Sequence, residues 1–259
     1  MNLLAAKTCS VALLCLLVVA CGGSGSIQRT DSTPAESAAS YNLQLGVAYM
    51  QQGNLALAQE KLERSLQQNP RDPGVHSALA LLSEKLGRSA EADRYFRSAR
   101  RLAPADPDIG NNYAVYLCRT RRVDEGVERF IEVARNPLYR SPEAAYTNAG
   151  VCLRGDGRID DAAGYFARAL AIRPDHAEAT FQLGDLDLER GLLVEGRLLV
   201  DRFLAANNAT PDLLLLGARL ARAQGDRLAE ERYGRRLRLE FPDAAQLRQL
   251  PGAASRNKG

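Results

Sequence analysis

The sequence predicts an all-α chain, folded as a right-handed α-solenoid of about six stacked helix–turn–helix units. Three observations carry this reading. First, the small residues Gly46, Ala80, Ala114, Gly150, Gly184 and Gly217 recur in matching contexts at intervals of 34, 34, 36, 34 and 33 residues. Self-similarity at a fixed period of a few tens of residues is the signature of a stacked-repeat architecture. Second, Ala, Leu, Arg and Glu dominate the composition, aromatic residues make up only 6%, and Trp is absent. Those common residues are strong helix formers. Third, Gly and Pro punctuate the chain at constant offsets from the small residues.

The units follow in order over residues 39–72, 73–106, 107–142, 143–176, 177–209 and 210–243, within a repeat domain spanning 41–250. In the first, Leu45, Gly46 and Tyr49 fall on one helix, Ala58, Leu62 and Ser65 on the next, and Pro70 ends it. The second repeats this with Leu79 and Ala80, then Ala92, Phe96, Ala99 and Pro104. The fourth has Ala149, Gly150 and Leu153, then Ala162, Phe166, Ala169 and Pro174. The small residue lets the paired helices approach closely, and Phe96, Phe130 and Phe166 fill the gap toward the next unit. Gly53, Gly87 and Gly157 suit the turn between helices, where a left-handed backbone is cheap only for Gly. Pro70, Pro104, Pro174 and Pro242 stop the second helix, because Pro has no amide hydrogen to continue it. Each hairpin has an apolar face it cannot bury alone, so neighbours must stack. The third unit is irregular: Gly126 stands where Ala is usual, Pro137 comes one place early, and the link to the fourth is two residues longer. The fifth has Gly196 and Val200 at the Ala and Phe positions, and the sixth slips by about one residue. On these residues the chain resembles the tetratricopeptide repeat family over roughly 39–242.

The N-terminus reads as an address. Residues 1–20 place Lys7 before an apolar run from Val11 to Ala20, too short for a membrane span and suited to a secretory signal. Leu17-Val18-Val19-Ala20-Cys21 resembles the bacterial lipobox, which implies cleavage before Cys21 and a diacylglycerol on its thiol. Acyl chains on Cys21 are the only non-protein group expected; no cofactor or metal is. Gly22 follows the Cys where an Asp would resemble an inner-membrane retention signal, which implies the outer membrane. Residues 21–40 are rich in Gly, Ser, Thr and Ala and read as a flexible tether, and 251–259 as a disordered tail.

No catalytic constellation emerges, so the chain reads as a binding protein and not an enzyme. His76 and His176 lie at unit boundaries without ligand spacing around them, and Asp160-Asp161 begins a helix, where carboxylates favour the dipole. A net charge of +3, from 34 basic and 31 acidic residues, argues against nucleic acid as a partner. Stacked first helices should line a concave, partner-binding groove, here with Met50, Ser77, Leu81, Asn111, Asn112, Val115, Thr147, Asn148, Val151, Phe181 and Asp185. Asn112 and Asn148 hold the same place in consecutive units; they either grip a peptide backbone or brace the scaffold. Cys118 and Cys152 lie on neighbouring first helices, and the expectation for an exported chain is a disulfide; the alternative is two reduced, buried thiols. Seven Arg between Arg219 and Arg238 form either a solvated helix face or a surface for an acidic partner or anionic lipid.

Two segments carry a closer resemblance: Tyr41–Pro70, directly after the tether, and Asn111–Leu153, with its Asn-Asn-Tyr start, Asn-Pro-Leu-Tyr insertion and Asn-Ala-Gly-Val-Cys segment. Together they resemble the type IV pilus biogenesis and stability lipoproteins of Gram-negative bacteria, the PilF/PilW family. Asn111, Asn112, Asn148, Cys118 and Cys152 match family positions; Ala114 departs from the Gly usual after Asn-Asn-Tyr. The resemblance implies an outer-membrane, periplasm-facing lipoprotein, a pilotin, that assists localisation, multimerisation or stability of the secretin through which the pilus passes. Its partners would be the secretin or other type IV pilus proteins, with the membrane reached through the acyl anchor. The alternative is another outer-membrane repeat lipoprotein in envelope assembly or cell-wall enzyme regulation; the Pro137–Pro142 insertion favours the first.

Overall fold

The computed structural model describes residues 34–250. They form twelve α-helices in six hairpins: α1 (Pro34–Gln51) with α2 (Leu55–Gln68), α3 (Pro73–Lys85) with α4 (Ser89–Leu102), α5 (Pro107–Arg119) with α6 (Val123–Arg135), α7 (Pro142–Gly155) with α8 (Ile159–Ile172), α9 (Ala177–Glu189) with α10 (Leu193–Ala206), and α11 (Pro211–Ala223) with α12 (Arg227–Glu240). A short 3-10 turn, Ala245–Gln249, follows. The all-α, six-unit expectation is met. The signal segment 1–20, Cys21, the first part of the tether and the tail 251–259 lie outside the described residues. One boundary is corrected: the tether was expected to run to residue 40, but α1 already begins at Pro34. The reason is packing. Ala39 is completely buried, and the Ser65 hydroxyl donates to its carbonyl at 2.7 Å, so the start of α1 is held against α2.

The turns obey the predicted chemistry. Gly53, Gly87, Gly157, Gly191 and Gly225 all have φ between +73° and +80°. The third hairpin places Arg121 there instead, at φ 65°. A side chain in that region costs about 1–2 kcal/mol. The Arg121 guanidinium offsets part of this by donating to the Gly155 carbonyl at 3.2 Å. Helix ends are equally regular. Outer helices α2, α4, α8 and α12 each end two residues before Pro70, Pro104, Pro174 and Pro242. The early Pro137 keeps the same offset, because α6 is one residue shorter than those four helices. Inner helices begin with Asp72, Asp106 and Thr210 as N-caps ahead of Pro73, Pro107 and Pro211. His176 caps α9, its Nδ1 accepting from the Ala179 amide at 3.1 Å, which is a structural duty for that imidazole.

Small-to-large pairs lock each hairpin. A Cβ added at Gly46 would lie 2.6 Å from Leu62, at Gly150 2.5 Å from Phe166, and at Gly217 2.7 Å from Tyr233. These close approaches are what the small residues were expected to permit. Phe96 also reaches the next unit, stacking on Tyr113 at 5.4 Å and meeting Tyr116 at 5.1 Å. In the sixth unit the turn keeps its 34-residue step from Gly191 to Gly225, and only the packing pair moves, to Gly217 and Tyr233. Tyr233 is buried and donates to Asp201 of α10; burial first and that carboxylate second push its pKa up to about 12. The stack closes with a run of buried residues, Leu213 to Ala218, in α11, and with Leu250 folded back over α12.

Candidate protein-binding groove

Successive inner helices touch one another, α1 with α3 and so on to α9 with α11, whereas the outer helices stand farther apart and are bridged by long side chains, Tyr233 of α12 to Asp201 of α10 and Arg100 of α4 to Glu132 of α6 at 4.0 Å. The stack therefore curves with the inner helices on the concave side. This decides which faces of α3, α5, α7, α9 and α11 can meet a partner.

A cleft of about 590 Å³ opens between α5 and α7, lined by Val115, Cys118, Arg119, Arg121, Val123, Phe130, Asn148, Val151, Cys152 and Gly155. Its floor contains the Cys118–Cys152 disulfide, with the two Cα atoms 5.6 Å apart. The bridge explains the irregular Gly126. A Cβ on that residue would lie 2.5 Å from the Cys118 sulfur and 3.1 Å from the Ala114 carbonyl oxygen, so the sulfur occupies the space an Ala methyl would take. The longer link that follows α6 is fastened rather than loose. Asn136 donates to the Ala105 carbonyl at 2.8 Å and accepts from the Leu138 amide at 2.9 Å. Glu143 at the start of α7 is almost fully buried and pairs with Arg173 at 2.9 Å. Burial pushes up the Tyr139 hydroxyl pKa, and the Asp108 and Glu143 carboxylates add to it.

The expected groove residues divide. Leu81, Asn111, Asn112, Val115, Asn148, Val151, Phe181 and Asp185 retain accessible surface, and Val151 is the most open of the apolar ones. Met50, Ser77 and Thr147 do not line the groove; this corrects the expectation. Met50 and Ser77 are buried, Met50 within the core of the first two units. The buried Thr147 hydroxyl donates back to the Glu143 carbonyl at 2.8 Å, a bond internal to its helix. Repeat position predicted the helix correctly but not the face, since a one-residue change turns a side chain by about 100°. Of the two Asn roles left open, bracing is present: Asn148 donates to Asn111 across α5 and α7 at 3.1 Å.

Charge crosses the same inner helices in a ladder that the sequence reading missed. Arg119 of α5 pairs with Glu84 of α3 at 3.2 Å. Arg154 of α7 reaches Asp185 at 2.7 Å and Glu189 at 2.5 Å, both on α9, and Arg219 of α11 reaches Asp185 at 2.9 Å. Burial opposes the Arg154 charge, but the two carboxylates outweigh it and raise its pKa. Asp185 is thus clamped between two guanidiniums. Opposite charges one repeat apart were the available signal. Among the described residues no group of His, Cys, Asp and Glu could hold a metal ion. The arrangement presents apolar side chains, amides and guanidiniums to a partner.

Comparison with known proteins places this geometry. The tetratricopeptide repeat family model matches residues 43–107 and 114–177, and a second model of that family matches 153–220. The type IV pilus assembly protein PilF of Pseudomonas aeruginosa is 26% identical over 249 residues, covering 94% of this chain and 98% of the relative. The chain is a PilF/PilW-like tetratricopeptide repeat protein. Solved structures agree. That of Pseudomonas aeruginosa PilF superposes with a TM-score of 0.65 at 25% identity, covering 84% of this chain and 98% of the other. PilW, described as a widely conserved type IV pilus biogenesis factor, gives 0.65 at 27% identity over 82% and 97%.

Proposed function

We propose that this PilF/PilW-like chain is a non-enzymatic, lipid-anchored scaffold of the outer membrane that assists the type IV pilus secretin to localise, assemble or persist. The observation that carries the reading is the end-to-end match to a type IV pilus assembly protein, which spans both chains almost completely. The concave cleft between α5 and α7 supports it, because a stapled groove with Val115 and Val151 on its wall and Arg119 and Arg121 on its rim suits a protein segment. Acylation of Cys21 would hold the scaffold at the membrane where a secretin assembles.

Deleting the gene should abolish surface pili or leave the secretin as unassembled monomers. The acylated protein, solubilised from membranes, should co-purify with the secretin, and Val151→Asp should weaken that recovery at least tenfold. Normal piliation with normal secretin multimers in the deletion strain would overturn the pilus role and leave a scaffold for some other envelope partner.

A further inference from the structure

The outer helices share one register, set by turn residues at matching places, so their solvent-facing side chains can be compared position by position. Four positions form the exposed ridge of each. On α2 they are Ala56, Glu60, Glu63 and Gln67, and on α6 they include Asp124 and Glu128, which is an ordinary solvated face. On α4 they are Ala90, Arg94, Arg97 and Arg101, cationic without a large apolar side chain. The last two units differ. On α10 they are Val194, Leu198, Asp201 and Ala205; Val194 and Leu198 are 69% and 56% exposed, and the half-buried Asp201 is engaged by Tyr233 and Arg197. On α12 the four are Leu228, Arg232, Arg235 and Leu239, with the leucines 82% and 75% exposed. Four of the eight exposed large apolar side chains among the described residues therefore sit on this one ridge.

The charges there are available. Arg222 and Arg236 are paired with Glu230 and Glu240. Arg227, Arg232, Arg235 and Arg238 enter no ion pair among the described residues, and Arg232 lies against Tyr233, its guanidinium 5.5 Å from the ring centre. Glu231 is exposed beside them, as are Glu240 next to Leu239 and Glu195 next to Val194. Leu228 and Leu239 stand about 16 Å apart along the helix, at ~1.5 Å per residue, with both guanidiniums between them.

We infer that the convex ridge of α10 and α12 is a docking surface for an anionic phospholipid bilayer. Leucine and valine side chains enter the headgroup–acyl boundary while guanidiniums bind phosphates, as in interfacial helices that lie on a membrane. A protein partner is the poorer fit. The ridge is convex and carries no exposed aromatic anchor, and none of its four exposed apolar side chains lines the cleft beside α12, which is formed by Arg227, Glu230, Glu231, Gly234, Arg238 and Leu250, whereas a bilayer deforms around such a shape. This surface would lay the C-terminal units on the membrane and turn the concave groove toward the periplasm; that orientation rests on the anchored-scaffold reading above, but the lipid contact itself does not.

The test uses the mature chain carrying Cys21→Ser, so that no acyl group contributes. It is sedimented with vesicles of phosphatidylcholine mixed with phosphatidylglycerol, and with vesicles of phosphatidylcholine alone. Binding should appear with the mixed vesicles and weaken with salt. Arg232→Gln with Arg235→Gln should lower partitioning by about tenfold or more, since each basic residue near an anionic surface contributes roughly fivefold. Leu228→Ser with Leu239→Ser should also lower it, while Arg94→Gln with Arg101→Gln, the same charge change on α4, should leave it within about twofold. All three double variants alter exposed side chains, and unchanged melting by circular dichroism confirms their folding. Equal binding to both vesicle types, or no loss in either ridge variant, overturns the proposal. So does a ridge variant whose only effect is to convert a self-associated species to monomer, which would assign the ridge to a second copy of the chain. Whether Cys21 is acylated is read separately, from the mass of the protein extracted from membranes, so failure of the anchor and failure of the ridge are distinguishable.

Discussion

At the scale of single residues, Gly126 and Asp187 carry the sharpest expectations. The Cβ of Gly126→Ala would meet the Cys118 sulfur and the Ala114 carbonyl, neither of which is the far end of a flexible chain. Overpacking of this kind costs about 1–3 kcal/mol. The substitution should lower the urea midpoint accordingly, and a double-mutant cycle with Cys118→Ala should recover part of the loss. An additive cycle would show that the sulfur is not the obstacle. Asp187 is buried on α9, and burial is the largest cause raising its pKa, against attraction from Arg190 and with repulsion from Glu195. A carboxyl raised in the folded state contributes stability that is complete below the ordinary carboxylate range and lost as pH rises through the raised value. Asp187→Asn should therefore stabilise the protein at neutral pH and make little difference in acid, where Asp187 is already protonated. Equal effects in paired denaturation curves at the two pH values would refute the assignment. Both residues were visible as letters at repeat positions. Their roles were not, because each depends on a side chain packed against it from another turn or helix.

At the scale of elements, the α5–α7 staple is the strongest single constraint. The bridge closes a loop with a sequence separation of 34. Chain-entropy arguments give such a loop about 3–4 kcal/mol of stabilisation. Reduction should lower the thermal midpoint while leaving most helical signal at low temperature, since the inner-helix contacts and the Asn148–Asn111 bond remain. Calorimetry with and without reductant measures this, and an unchanged midpoint would mean that the cross-link contributes nothing beyond the packing. Helix ends were the most legible elements, because Pro, Gly and capping Asp act through their own backbone. The Pro residues that open α3, α5, α7 and α11 were legible in the same way, although repeat spacing drew attention to the Pro residues that end the helices instead. The start of α1 was not legible. Its seven additional residues have a tether-like composition, and they are helical because α2 covers Ala39.

At the scale of the molecule, a solenoid has two ends and no closed core. The run from Leu213 to Ala218 in α11 packs with Val200 and Phe203 of α10, so the sixth unit covers a face that the fifth cannot expose without cost. Deleting residues 211–259 should produce an aggregating chain, whereas a solubly capped stack stays monodisperse. Light scattering after size exclusion decides between them; a monodisperse truncated protein would show that the fifth unit is its own cap.

What the sequence determined by itself is what repeats: the helical class, the six units, their turns and stops, and the relationship to pilus-assembly repeat proteins. These follow from local backbone chemistry copied along the chain. Only the tertiary structure decided what differs from unit to unit: that Met50, Ser77 and Thr147 face inward, that Gly126 makes room for a sulfur, that Asp185 is held between two arginines, and that the last two outer helices expose leucine beside unpaired arginine. The physical reason is that a period specifies which helix a residue is on, while its face and its neighbours depend on rotation and curvature accumulated through contacts between helices.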